Sequence, residues 1–434
     1  MKNVFLLGLD EFNLPEVASL QGADTLKMQK LLDIDEVVDP PSGTLDFEAL
    51  RRKADALLDC FDGVVDGIAA HWDFPSSALV GELRKSRGLP GPSNEAICRC
   101  EHKYWSRLEQ QRVVPELVPP FAPLDPFRDD PLDSIDIGYP FWIKPVKAHS
   151  SHLGFNIRNA EELYGHLPEI REKIGLFGDP FEQYLRYVDQ PEEIRSINGY
   201  WCIAEGIISV GRQCTLEGYV HDGDTTVYGV VDSVRSGRYR SSFSRYQYPS
   251  TIPVAAQQRM IQAADKVLTR FGYDCAPFNM EFYWDPKTDR VSLLEVNARI
   301  SKSHCPLFRL VDGVSHHQIM IDLALGRKPD FPYRQGPFSV AGKFMVRVFT
   351  DGTVTKLPEA EHIRQVQELF PEARINPLTT VGTRLRHLRF QNSYSFELAD
   401  IFLGADSQRE LREKYRRCME ILPFEVEPLE EGKT

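Results

Sequence analysis

The chain is 434 residues long, with 42% apolar and 26% charged residues. That balance suits a globular protein and excludes collagen, coiled coil and intrinsic disorder; at roughly 150 residues per domain, the length predicts two to four domains. The net charge of −12, from 51 Lys and Arg against 63 Asp and Glu, argues against nucleic acid as a partner, because a duplex groove needs a basic field.

The chain opens with an apolar run over residues 4–9, followed by Asp10 and Glu11. It is too short for the core of an export signal and predicts a buried strand. Residues 26–32 carry a helical composition, and 36–38 read as a short β-branched strand. A helix is expected over 47–58 and a buried strand over 63–68. This alternation predicts a parallel α/β sheet over residues 1–100. No GxGxxG follows the first strand, so the dinucleotide fingerprint is absent. After Leu89-Pro90-Gly91-Pro92, a helix is expected over 94–111. Prolines and aspartates crowd residues 119–131 and open a second unit. It has strands over 139–145, 155–157 and 201–208 and a helix over 161–173. Next come strands over 215–220 and 226–231, bracketing a hairpin turn at 221–224. The spacing of Met260, Ile261, Ala264, Val267, Leu268 and Phe271 predicts a helix over 254–271. Strands over 277–284 and 290–296 follow, then a helix over 316–325. The last hundred residues read as a separate α+β module, with a strand over 343–349, a polar loop over 392–395 and a helix over 406–422. No run approaches the ~20 apolar residues of a membrane helix, so no membrane partner is expected. Eight cysteines are scattered without a CxxC pair. Zinc ribbons and a disulfide framework are disfavoured, and reduced thiols in a cytoplasmic protein are expected.

The chemistry concentrates on the strands over 277–284 and 290–296. Side chains alternate faces with period two, so Glu295 and Asn297 share a face, and an antiparallel hairpin brings Glu281 alongside. Two carboxylates and an amide oxygen suit Mg2+, with substrate phosphates completing the shell. The alternative is that both acids are salt-bridged to neighbouring Lys or Arg. Arg299 extends the same face and offers charge for a phosphoryl group, or is a solvated partner of an acid. Lys144, inside the apolar Phe141-Trp142-Ile143-Lys144 strand, needs an anion or a route to water. The turn after it, with Ser150 and Ser151, offers hydroxyl and N–H groups to phosphate, or is an ordinary polar turn. His149, His152, His304, His316 and His317 match no compact zinc spacing.

Lys144 with its serine turn, then Glu281, then Glu295-x-Asn297-x-Arg299, in this order, resembles the ATP-grasp superfamily, in particular its carboxylate–amine and amino-acid ligases. The resemblance implies an α/β protein: a pre-ATP-grasp domain over 1–100, an ATP-grasp domain over 101–330 and a C-terminal α+β appendage over 331–434. The ATP-grasp domain would divide into a nucleotide-clamping subdomain over 119–208 and a metal-binding subdomain over 209–330. The resemblance further implies ATP with Mg2+ (or Mn2+) as cofactors, a small-molecule carboxylate and amine as substrates, and an amide formed through an acylphosphate. Glu281, Glu295 and Asn297 would hold the metal. Lys103, Lys144, Ser150 and Ser151 would meet the nucleotide phosphates, Glu205 and Ile207 the adenine, and Gln213 the ribose. Arg299 would be catalytic, and a homodimer is the assembly that relatives suggest. Two departures stand out: the phosphate turn is rich in serine and histidine where many members have glycine, and residues 300–306 lack the usual glycines.

Overall fold

The computed structural model describes residues 1–38, 40, 43–149, 152–235, 242–388 and 395–428. Ser150, Ser151 and residues 392–394 of the expected polar loop lie outside them. The chain forms two compact units: Met1–Gly229 with Ile252–Lys302 and His317–Phe331, and Val230–Thr251 with Ser303–His316 and Pro332–Thr434.

In the first unit, β1 (Lys2–Leu7), β2 (Leu26–Leu32) and β3 (Gly67–Ala70) form a parallel sheet in the order β2-β1-β3. The strand β2 corrects the helix expected there. Its Leu, Lys, Met and Gln favour a helix locally, but β1 offers it a run of backbone partners from Lys2↔Leu26 to Leu6↔Lys30, and pairing outweighs propensity. The opposite correction applies just beyond. The short strand expected at 36–38 is a helical turn, Ile34–Val37, started by a reciprocal capping box between Asp33 and Glu36. The strand expected over 63–68 forms later, at Gly67–Ala70. The single helix expected over 94–111 is two, Asn94–Glu101 and Lys103–Val113. His102 parts them: its backbone is extended, and its ring Nδ1 accepts the Trp105 N–H at 3.2 Å. This N-cap puts Lys103 at the start of the second helix.

A second sheet of the same unit is antiparallel, in the order β4-β7-β5-β6. It contains β4 (Phe121–Leu124), β5 (Phe141–Pro145), β6 (Phe155–Ile157) and β7 (Cys202–Gly206). Its apolar face buries Leu124, Phe141 and Ile143 against Leu163, Leu167 and Ile170 of the helix Ala160–Lys173. Next come β8 (Arg212–His221) and β9 (Asp224–Arg235), on either side of the expected hairpin turn. β10 (Phe243–Tyr248) belongs to the second unit. The helix Val254–Phe271 buries Met260, Ala263, Ala264, Val267, Leu268 and Phe271. It ends at Gly272, whose φ of 65° and N–H bonds to Leu268 and Thr269 carbonyls close the last turn. β11 (Ala276–Asp285) and β12 (Arg290–Asn297) then pair antiparallel, with β8 on the other side of β11.

In the second unit, β13 (Val340–Val348) lies between β10 and β16 (Phe396–Ala405), all antiparallel. β15 (Arg374–Pro377) edges β16, and β14 (Gly352–Lys356) pairs with β17 (Glu425–Pro428). Phe344, Val346, Leu398, Ile401 and Leu403 pack with Leu411 and Cys418 of the helix Gln408–Ile421. Among the described residues, no helix is long and apolar enough to cross a membrane. No disulfide joins any of the eight cysteines.

Candidate active site

The strands β8, β11 and β12 build one polar sheet face. Glu281 lies directly opposite Glu295, and Asn279 opposite Asn297. On the other side, Glu281 faces Thr215 and Asn279 faces Glu217. Cross-strand partners point to the same side of a sheet, so these side chains converge on one surface. Like charges facing each other across a ladder are unfavourable, and a cation between them would remove that cost. Gln213 Nε2 donates to Glu281 Oε2 at 2.6 Å. Asn297 Nδ2 donates to Asn279 Oδ1 at 2.8 Å, which leaves the Asn297 amide oxygen as an acceptor. Two carboxylates and an amide oxygen are hard ligands that fit Mg2+, an ion that usually completes its shell with water and substrate phosphates. Among the described residues, no three His, Cys, Asp or Glu side chains form a complete metal cage of their own.

A register shift after Glu281 leaves Leu294 as an extra residue on β12, a β-bulge that would strand backbone carbonyls. Arg107, from the helix Lys103–Val113, satisfies them: its two terminal nitrogens donate to Leu293 O and Leu294 O, each at 2.8 Å. Arg107 Nε also donates to Glu205 Oε1 at 2.6 Å, and Lys144 Nζ reaches Glu205 Oε2 at 2.7 Å. Glu205 thus ties β5, β7 and the bulge together. Burial alone would raise its pKa, but Arg107 and Lys144 overcome that and hold it at about 2. A carboxylate with a depressed pKa stabilises the fold above its unfolded value near 4.5 and stops doing so as pH falls toward 2. The span corresponds to about 3 kcal/mol. Acid titration followed by tryptophan fluorescence should therefore show wild-type stability declining between about pH 4.5 and 2. In Glu205→Gln, that part of the decline should be missing and stability at neutral pH should be lower.

Lys103 Nζ donates to Ala148 O at 2.6 Å. Burial lowers its pKa to about 8, with the attraction of Glu295 working the other way. Ile207 lies half-buried just past the end of β7.

Arg299 Nη2 donates to Asp73 Oδ2 at 2.6 Å, and Nη1 to Ile300 O at 3.2 Å. Asp73 Oδ1 lies 3.6 Å from Lys147 Nζ, and Lys147 is bonded to Glu101. Burial opposes the charge on Asp73, but Arg299 and Lys147 hold its pKa well below the usual carboxylate range. His149 is half-buried beside this row, with its ring edge-on to Phe177 at 4.6 Å. Burial lowers its pKa to about 4, so its imidazole is neutral at pH 7.

The structure brings Glu281, Glu295 and Asn297 onto one face, with Gln213 beside Glu281. It pairs Lys144 with Glu205 and holds Arg299 through Asp73. Sequence reasoning missed Asp73, Glu101, Arg107, Lys147, Glu217 and Asn279. Asn279 carried a readable signal, since it lies two residues before Glu281 and so shares its face. Lys147 carried a weaker one, as a lysine between the apolar residues Val146 and Ala148.

Residues 247–330 match the family model described as carbamoyl-phosphate synthase L chain, ATP binding domain. Urea amidolyase of Saccharomyces cerevisiae is 24% identical over 243 residues, covering 56% of this chain and 12% of that protein. This chain spans about half or less of the length of the curated relatives it matches. Among solved structures, an L-amino acid ligase from Bacillus licheniformis superposes with a TM-score of 0.75 at 18% identity, covering 98% of this chain and 99% of that one. The biotin carboxylase domain dimer of Hydrogenobacter thermophilus 2-oxoglutarate carboxylase, in complex with MgADP, ADP and bicarbonate, superposes with a TM-score of 0.62 at 14% identity. It covers 99% of this chain and 91% of that one.

Proposed function

The chain has the ATP-grasp fold, and on that premise we propose that it is an ATP-dependent carboxylate–amine ligase that forms an amide or peptide bond and releases ADP and phosphate. The observation that carries this reading is the facing of Glu281 and Glu295, with Asn297 and Arg299 continuing the same run. Such a face suits a triphosphate with divalent cations better than it suits a purely structural role.

Glu281, Glu295 and Asn297 would hold Mg2+, which when bound neutralises charge on the β- and γ-phosphates. Lys103 and Lys144 meet the phosphates. A substrate carboxylate oxygen attacks the γ-phosphorus in line, ADP leaves, and an acylphosphate results. The amine nitrogen then attacks the acyl carbon, the C–O bond to phosphate breaks, and the amine gives up a proton. Arg299 offsets negative charge at the phosphoryl group and at the tetrahedral carbon. Water would hydrolyse the acylphosphate, so closure over the nucleotide is required. We assign that part to the 119–208 segment, whose four-stranded sheet carries Lys144 and Glu205. Ser150, Ser151, Glu205, Ile207 and Gln213 complete the proposed nucleotide site.

The test is ADP release with panels of amino acids and other carboxylates. The ligase reading expects ADP formation that needs Mg2+ and rises when a carboxylate and an amine are supplied together. ADP release on bicarbonate, with no response to amines, would favour a carboxylase-like reaction instead. Nucleotide-dependent stabilisation without turnover under any condition would favour a binding protein.

Lys103 gives a separate expectation. A charged hydrogen bond to phosphate contributes about 1.5–3 kcal/mol, so Lys103→Met should weaken binding of a non-hydrolysable ATP analogue roughly 10- to 100-fold in calorimetry. Unchanged affinity would remove Lys103 from the nucleotide site.

A further inference from the structure

We infer that Asp73 is a positioning residue for Arg299, holding its guanidinium so that the Nε–H edge is left for an oxygen of the reacting group. The inference rests on the ligase reading above, and it concerns a residue from the loop just after β3, 226 positions away in sequence.

Three observations support it. First, the guanidinium is held on two of its nitrogens. Nη2 donates to Asp73 Oδ2 at 2.6 Å and Nη1 to Ile300 O at 3.2 Å. Second, Nε is buried and has no hydrogen-bond partner among the described residues. An unpaired buried donor on a cation is costly, so its persistence marks where an acceptor from outside the chain belongs. A carboxylate, carbonyl or phosphoryl oxygen has the right chemistry. Third, Asp73 is itself immobilised. Its Oδ1 accepts the Phe74 N–H at 2.9 Å and lies 3.6 Å from Lys147 Nζ. Lys147 is bonded to Glu101, which accepts the Ser77 hydroxyl at 2.6 Å. Arg299, Asp73, Lys147 and Glu101 thus form a row of alternating charge.

That row does two things. It neutralises charges that would otherwise be expensive to bury. It also removes the rotamer freedom of a long arginine before the reacting group arrives, which is the preorganisation that electrostatic catalysis needs. Because Arg299 follows Asn297 by two residues, fixing the guanidinium fixes it relative to the proposed metal ligands.

The experiment compares Asp73→Asn, Arg299→Lys and the double variant. Asp73→Asn should lower kcat roughly 10- to 100-fold while KM for ATP stays within about threefold. In the double variant the loss should be no greater, within about threefold, than in Arg299→Lys alone, because Asp73 acts only through Arg299. Fully multiplicative losses would overturn the inference. So would a crystal structure of Asp73→Asn with the guanidinium unmoved. That structural readout needs no turnover, so wild-type inactivity would count against the ligase reading without deciding the role of Asp73. If Asp73→Asn does not fold, Asp73→Glu keeps the charge, lengthens the side chain by one methylene, and carries the same two readouts.

Discussion

Glu295→Gln should reduce Mg2+-dependent ADP release by roughly 10³-fold or more, while the protein remains folded. Glutamine keeps the volume and one oxygen of the side chain but removes the charge that would bind the cation, and a metal supplies several kcal/mol of transition-state stabilisation. The fold should tolerate the change unusually well. Glu295 sits directly across the ladder from Glu281, so the substitution relieves a like-charge pair. The unfolding midpoint without nucleotide should therefore hold or rise slightly, even as activity collapses. Glu281→Gln should behave similarly, with one difference: Gln213 donates to Glu281 Oε2, so its neighbour would need to reorganise. Steady-state ADP release and thermal unfolding on the same preparations check both expectations. Activity within tenfold of wild type in Glu295→Gln would exclude it as a metal ligand.

Arg299→Lys should lower kcat by roughly 10²-fold with ATP binding nearly intact. The substitution keeps the charge opposite Asp73, and so avoids the 3–5 kcal/mol cost of leaving a buried acid unpaired. It removes the planar fork, including the Nε–H that has no partner among the described residues. A point charge on a flexible stem can satisfy Asp73 or the reacting group but cannot hold both in fixed geometry. Single-turnover phosphoryl transfer, measured beside analogue binding, separates this effect from a loss of nucleotide affinity. Equal losses in both would place Arg299 in uniform binding instead.

The shared face of Glu281, Glu295 and Asn297 was legible because its logic is local. Period-two alternation puts Glu295 and Asn297 together, and the short turn before Arg290 makes the hairpin that brings in Glu281. The helix Val254–Phe271 was legible for a similar reason, since its apolar spacing and terminal glycine lie within one stretch of chain. What escaped was non-local. Whether residues 26–32 become strand or helix is decided by the open edge of β1, which their own composition does not reveal. The break at His102 depends on a side-chain cap inside a helical pattern. Asp73 reaches Arg299, and Lys147 reaches Asp73, from distant segments, and Arg107 answers a bulge at Leu294 that alternation does not predict. The partner of Lys144 was implied by its burial, but identifying it as Glu205 required the pairing of β5 with β7.

On the ligase reading, the Glu281, Glu295 and Asn297 face binds a nucleoside triphosphate through divalent cations. Calorimetric titration of a non-hydrolysable ATP analogue, with and without Mg2+, tests it most directly when run on the wild type and on the Glu281→Gln, Glu295→Gln double variant. Saturable binding that requires Mg2+ and disappears in the double variant is the predicted result. Equal affinity in the presence of a chelator, or in the double variant, would contradict it.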